Sequence, residues 1–202
     1  MEIKICGLTR PEDIESVNAA GADYAGFIIG FLKSRRNLSP ERAAALSAGL
    51  AAGIRSVGVF VDADPEVPAK LADTGAIDII QLHGSEDEAY IERLKQRPGG
   101  TARTVWKAFQ VAGPEDVQAA CACSADMVIL DSGQGSGRPF DWELLGGMTR
   151  PFLLAGGLDP GRISSVGGLE FLQGVDLSSG VETEGYKDRD KIRRAVAAAR
   201  KE

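Results

Sequence analysis

Cys6 and Asp131 each close a short apolar run, Ile3-Lys4-Ile5-Cys6 and Val128-Ile129-Leu130-Asp131, and each run leads into a glycine-bearing loop. A free thiol has a pKa of about 8.5, so modest stabilisation of its thiolate makes it a usable base near neutral pH. A carboxyl group whose pKa is raised by desolvation or by a neighbouring negative charge can serve as an acid. Most unpaired cysteines are small buried apolar groups, and a carboxylate at a strand end often caps a turn. The two therefore form an acid–base pair only if the fold brings them to one site.

Two other places have phosphate chemistry. Ala155-Gly156-Gly157 and Ser178-Ser179-Gly180 follow the last two apolar runs, and glycine lets backbone amides approach phosphate oxygens closely. The competing reading is that these glycines merely permit tight turns. Arg36, in Lys33-Ser34-Arg35-Arg36, carries a planar fork suited to bidentate capture of a carboxylate, as does its neighbour Arg35. His83, the sole histidine, reads as a structural hydrogen-bonding residue. Lys4 and Asp176 lie inside apolar runs where a charge is costly, so they are expected to pair with each other in the interior. The run Gly133-Gln134-Gly135-Ser136-Gly137 is flexible enough to act as a lid.

The elements that must position these groups alternate regularly. Strands are predicted at 2–6, 23–28, 54–61, 77–81, 104–109, 127–130, 152–155 and 174–176. Helices are predicted between and after them at 11–20, 40–50, 65–73, 86–97, 114–121, 141–145, 160–166 and 188–200. Several helices open on proline beside an acidic or hydroxyl residue, as in Ser39-Pro40-Glu41 and Asp64-Pro65-Glu66, which suits a first helical turn. Eight strand–helix units in so short a chain favour closure into a compact (β/α)8 TIM barrel, a single α/β domain over residues 1–202. No GxGxxG follows an early strand, as an open dinucleotide-binding sheet would require. In such a barrel the working residues sit at the carboxyl ends of the strands, with phosphate frequently held after strands 7 and 8. Alternation along the first strand turns Lys4 and Cys6 the same way, with Cys6 nearer the mouth.

Composition narrows the function classes. The chain has 202 residues, 44% of them apolar and only 6% aromatic, so its core is built from Val, Ile, Leu and Ala. A net charge of −6 and a pI near 5.0 argue against nucleic acid or a polybasic membrane surface as partner. No apolar run approaches the roughly 18 residues of a spanning helix. Strand-like residues begin at Glu2, so no signal peptide is expected. Three cysteines form neither a disulfide framework nor a CxxC site, and one histidine makes a zinc site hard to assemble. No metal or cofactor is expected, and the setting is read as reducing and cytoplasmic.

These residues resemble a known family. Lys4-Ile5-Cys6-Gly7-Leu8-Thr9 is similar to the opening of phosphoribosylanthranilate isomerases. The likeness continues through Gly26-Phe27, Ser34-Arg35-Arg36, Val57-Gly58-Val59-Phe60-Val61 and Gln81-Leu82-His83-Gly84. It then runs through Leu130-Asp131, Gly135-Ser136-Gly137, Ala155-Gly156-Gly157-Leu158 and Val175-Asp176-Leu177-Ser178-Ser179-Gly180. It spans nearly the whole chain in order. The resemblance implies an isomerase of tryptophan biosynthesis that performs a cofactor-free Amadori rearrangement. The substrate is N-(5-phosphoribosyl)anthranilate and the product is 1-(2-carboxyphenylamino)-1-deoxyribulose 5-phosphate. It also implies Asp131 as acid, Cys6 as base, Arg36 on the anthranilate carboxylate, and Gly156, Gly157, Ser179 and Gly180 around the phosphate. The expected partner is this small phosphorylated sugar, and the chain is expected to be a monomer or homodimer.

The chain departs from the family pattern in three places. Gly30-Phe31-Leu32-Lys33 replaces a segment that usually contains proline, Gln134 interrupts a glycine pair, and Arg35 precedes Arg36. Two other classes remain beside this reading: a histidine-pathway isomerase, which usually carries an aspartate where this chain has Cys6, and a non-catalytic phosphate-sensing barrel.

Overall fold

A computed structural model describes residues 1–96, 102–131 and 142–201. Eight parallel strands form the barrel: β1 (Glu2–Cys6), β2 (Tyr24–Ile29), β3 (Arg55–Phe60), β4 (Ile79–Leu82), β5 (Thr104–Gln110), β6 (Met127–Asp131), β7 (Phe152–Ala155) and β8 (Leu172–Leu177). Each pairs with its sequence neighbour, and β8 pairs with β1, which closes the sheet. The runs are apolar on both sides because one face fills the barrel and the other meets helices. A two-residue strand, Asn37–Leu38, adds to the outer end of β2.

Among the described residues six α-helices pack outside: α1 (Pro11–Ala20), α2 (Pro40–Ser47), α3 (Glu66–Asp73), α4 (Glu88–Lys95), α5 (Pro114–Ala122) and α6 (Arg189–Ala199). Their starts follow local chemistry. Pro11, Pro40 and Pro114 occupy first turns, while Ser39, Asp87 and Asp188 accept hydrogen bonds from the free amides of Arg42, Tyr90 and Lys191. Among the described residues, no helix is long and apolar enough to cross a membrane.

Two of the predicted helices take another form. The stretch predicted at 160–166 contains only a 3-10 segment, Ile163–Ser165, and the one at 141–145 gives the 3-10 segment Trp142–Gly147, Asp141 lying outside the described residues. The cause at the first is local: Asp159 Oδ1 accepts the amides of Gly161 and Arg162, a turn that competes with a helix, and Ser and Gly dominate the sequence that follows. Glu86, expected at the start of a helix, stands before α4 and turns inward. Its carboxylate lies 2.7 Å from Lys107 Nζ, and both side chains are buried.

The interior holds two layers of apolar packing. Tyr24, Val57, Ile79, Trp106, Met127, Ile129 and Leu153 fill the barrel, with Tyr24 and Trp106 meeting edge to face at 4.8 Å. A larger cluster lies between strands and helices. The inward series on β1 is Lys4 then Cys6, on β6 Ile129 then Asp131, and on β8 Asp176 then Ser178 at its end. Alternation thus carries polar residues from the packed floor to the mouth.

Candidate active site

Cys6 ends β1 beside Gly26 of β2. A Cβ at Gly26 would sit 2.9 Å from Cys6 Sγ and 3.1 Å from Lys4 Nζ, so glycine makes room for both polar groups. Lys4 is fully buried one pleat below, and its Nζ lies 2.8 Å from Asp176 Oδ2. The expected interior pair therefore exists, with Lys4 and Asp176 directly opposite in the β1–β8 register. Asp176 Oδ1 is buried and accepts no hydrogen bond among the described residues. Burial pushes the Cys6 thiol above its ordinary pKa, Lys4 pulls it back, and Asp176 adds to the rise.

Asp131 ends β6 and is about a quarter exposed. His83 Nε2 approaches its Oδ2 to 3.7 Å, and His83 Nδ1 lies 3.4 Å from Gln81 Nε2. Gln81 and His83 stand two residues apart at the end of β4 and turn the same way. Reading His83 as a structural hydrogen-bonding residue left Gln81 unnamed as its neighbour. The alternation that coupled Lys4 to Cys6 would have found it.

Arg36 crosses the mouth over Gly7. Gly7 has φ 78°, and any side chain there would strike the aliphatic part of Arg36. The guanidinium is held by Glu182: Nε donates to Oε1 at 2.6 Å and Nη2 to Oε2 at 2.7 Å. Arg35 Nη2 reaches Oε2 at 2.5 Å and Lys187 Nζ reaches Oε1 at 2.7 Å. Glu182 and Lys187 face each other across a two-stranded hairpin, Glu182–Thr183 with Tyr186–Lys187, whose turn residues Glu184 and Gly185 both have positive φ.

Burial alone would raise the Glu182 pKa, but the bonds and charges of Arg36 and Lys187 outweigh it and hold the group at about 2 rather than 4.5. A depressed carboxyl pKa contributes stability above the unfolded value, and this is lost as pH falls through the folded one. Thermal midpoints of the parent chain are therefore expected to fall between pH 4.5 and about 2 in part through Glu182. Glu182→Gln is expected to be less stable near neutrality and flatter over that window. Parallel midpoint curves for the two chains would contradict the assignment.

A cavity of about 430 Å³ lies at the carboxyl ends of the strands, and His83, Arg35 and Asp176 open onto it. Cys6, Asp131 and Arg36 line it. So do Gly156, Gly157, Ser179 and Gly180, at the ends of β7 and β8. Gly156 and Gly157 have φ 92° and 61°, and a side chain at Gly180 would strike the Leu158 carbonyl, so glycine is required there on steric grounds. The run 133–137, expected to act as a lid, lies outside the described residues.

A sequence model of the family described as N-(5'phosphoribosyl)anthranilate (PRA) isomerase matches residues 3–198. The chain belongs to this family. A PRA isomerase of Acetivibrio thermocellus is 38% identical to it over 209 residues, covering 98% of this chain and 95% of the relative. The crystal structure of the PRA isomerase of Thermotoga maritima superposes with a TM-score of 0.86 at 32% identity over all of both chains. Another PRA isomerase, crystallised with reduced 1-(o-carboxyphenylamino)-1-deoxyribulose 5-phosphate, superposes at 0.83, also at 32% identity and over all of both chains. The chain is thus an isomerase of tryptophan biosynthesis built as a (β/α)8 barrel.

As a PRA isomerase, this chain gathers Cys6, Asp131, Arg36, Gly156, Gly157, Ser179 and Gly180 at one mouth. The sequence reading missed the scaffold behind them. Nothing in the spacing of Glu182 and Lys187 announced that they would hold Arg36. Arg36 is accordingly not a loose cation awaiting a ligand. Two of its donors are already engaged, which fixes the guanidinium at the rim.

Proposed function

We propose that Cys6 and Asp131 carry out the Amadori rearrangement of N-(5'-phosphoribosyl)anthranilate at this mouth. The observation that carries the reading is that a thiol from β1 and a carboxyl group from β6 open onto a single cavity rimmed by Arg36 and the glycines after β7 and β8. Asp131 donates a proton to the furanose ring oxygen as the bond from that oxygen to C1 breaks, and the anthranilate nitrogen supplies the electron pair that forms a C1 iminium. The Cys6 thiolate then removes the proton on C2, and the C–H electrons form the C1–C2 double bond while the iminium is neutralised. The resulting enolamine tautomerises: its C2 hydroxyl gives up a proton, C1 gains one, and the ketone forms.

Charge explains why a thiol suffices. The C1 iminium acidifies the neighbouring C2 proton and, being cationic, favours thiolate beside it. Asp131 can discharge its proton early and recover one later, since it remains partly open to the cavity. The phosphate is read as lying against Gly156, Gly157, Ser179 and Gly180, where glycine permits close approach of backbone amides. Arg36, locked by Glu182, turns its remaining donors to the anthranilate carboxylate. A small phosphorylated sugar is then the partner, and these residues perform each step without a cofactor.

The test is the loss of fluorescence when purified protein meets freshly generated N-(5'-phosphoribosyl)anthranilate. Decay catalysed in proportion to protein is expected, and no catalysis would refute the reading. In the same assay Arg36→Met is expected to raise KM about tenfold or more with kcat largely kept, the pattern of lost uniform binding. Unchanged affinity would transfer carboxylate binding to Arg35 or to a backbone group.

A further inference from the structure

The reading of Cys6 as base leaves a chemical difficulty, because burial at the end of β1 disfavours the thiolate that the reaction needs. The barrel floor holds the counterweight. Lys4 and Cys6 are two residues apart and inward-facing, and the space left by Gly26 touches Cys6 Sγ and Lys4 Nζ at about equal distance. The same ammonium is bound to Asp176 Oδ2 at 2.8 Å, while Oδ1 of that carboxylate has no hydrogen-bond partner among the described residues and Asp176 lines the catalytic cavity. One buried ammonium is therefore shared between a carboxylate and a thiol. A charge pair needed only to fill the floor would be costly there and replaceable by apolar residues of similar volume.

We propose that Lys4 is the counter-ion of the Cys6 thiolate, and that Asp176 divides the Lys4 charge and so limits how readily Cys6 gives up its proton. The pair acts through Cys6 and is a positioning device for its charge. Four charged groups enter the balance at the sulfur: Lys4 from its own strand, Asp176 from β8, Lys187 from the hairpin, and Arg36 from the loop after β2, while Asp131 of β6 and His83 after β4 open onto the same cavity. Lys187 and Arg36 are both committed to Glu182, which mutes their effect, whereas Gly26 of β2 contributes no charge. Lys4 is left as the cation with direct access. The direction of each influence agrees with this geometry: Lys4 lowers the proton affinity of the thiol and Asp176 raises it.

The proposal rests on Cys6 being the base, yet it is testable without turnover. The rate of iodoacetamide alkylation of Cys6 in the unliganded full chain, followed by mass spectrometry of the Cys6 peptide, reports its titration midpoint free of Cys121 and Cys123. Lys4→Met is expected to move that midpoint up and Asp176→Asn to move it down. A shift of one unit corresponds to about a tenfold change in thiolate at a pH below the midpoint. The opposite signs are the signature, because loosening of the barrel would move both variants the same way. Movement in one common direction, or in neither, would overturn the proposal. Should Lys4→Met fail to fold, Asp176→Asn decides alone: a downward shift supports the pair, and an unchanged or upward midpoint rejects it. The acidic limb of kcat/KM is expected to follow the thiol midpoint. If the thiol midpoints separate as expected while the limb stays fixed, the Lys4–Asp176 assignment stands and the role of Cys6 as base falls.

Discussion

Cys6→Ser is expected to lower kcat by about 10²- to 10⁴-fold, the usual worth of a positioned general base, while KM changes little. The hydroxyl is smaller than the thiol and fits the same place beside Gly26, so the barrel is expected to fold and the cavity to keep its shape. What changes is proton affinity: a serine hydroxyl does not ionise near neutral pH, and Lys4 cannot bring it there. In the parent enzyme kcat/KM should rise with pH across the neutral range. Burial holds the Cys6 thiol above its ordinary value, so the free enzyme is mostly protonated at that group and gains base as pH increases. That rise should be absent from Cys6→Ser. Steady-state kinetics by substrate fluorescence, with circular dichroism to verify folding, measures both points. An unchanged turnover number would remove Cys6 from the chemistry.

Asp131→Asn should cost a comparable factor, about 10²- to 10⁴-fold in kcat, for a different reason. The amide keeps the shape of the carboxyl group at the end of β6 but cannot deliver a proton to the ring oxygen, so the furanose stays closed and no iminium forms. Affinity should be preserved because Arg36 and the glycine-bearing ends of β7 and β8 are untouched. His83 keeps a polar neighbour at this place, 3.7 Å away in the parent chain, but the amide supplies no proton in place of the missing one. Retention of parent turnover in Asp131→Asn would assign ring opening to another group, and His83 would be the first to test.

Much of this architecture was legible in the sequence because its physical cause is local. Runs such as Val57–Phe60 and Met127–Leu130 are buried on both faces, and continuous apolar composition announces that burial. Pro40 after Ser39, or Pro114 after Gly113, marks a helix start by local chemistry alone. Cys6, Asp131 and the glycines after β7 and β8 were found because barrel geometry places chemistry at strand ends. The same logic failed where glycine, serine and an aspartate-centred turn converted the stretch near Ile163 into a 3-10 segment.

Long-range partnership is what sequence spacing did not carry. Arg36 and Glu182 are 146 residues apart and meet only because β8 closes against β1 and sends the hairpin back over the mouth. The pairing of Lys107 with Glu86 has the same character: a strand lysine finds a carboxylate from a preceding loop. Lys4 with Asp176 was foreseen for one reason, that two lone charges inside apolar runs have little else to pair with. Charges on polar loops leave no such trace, so the clamp on Arg36 had to be seen in three dimensions.

The central claim is that one sugar lies between the Cys6 thiol and the Asp131 carboxyl group with its phosphate at the glycine ends. A crystal structure of this chain with a reduced, unreactive product analogue tests it most directly. The account expects Cys6 Sγ within about 3–3.5 Å of the sugar's second carbon, the separation of a near-attack geometry. It also expects Asp131 within hydrogen-bonding reach of the oxygen that closes the furanose ring, and the phosphate against Gly156, Gly157, Ser179 and Gly180. An analogue bound with its phosphate elsewhere, or with the thiol and the carboxyl group facing different ends of the molecule, would contradict it.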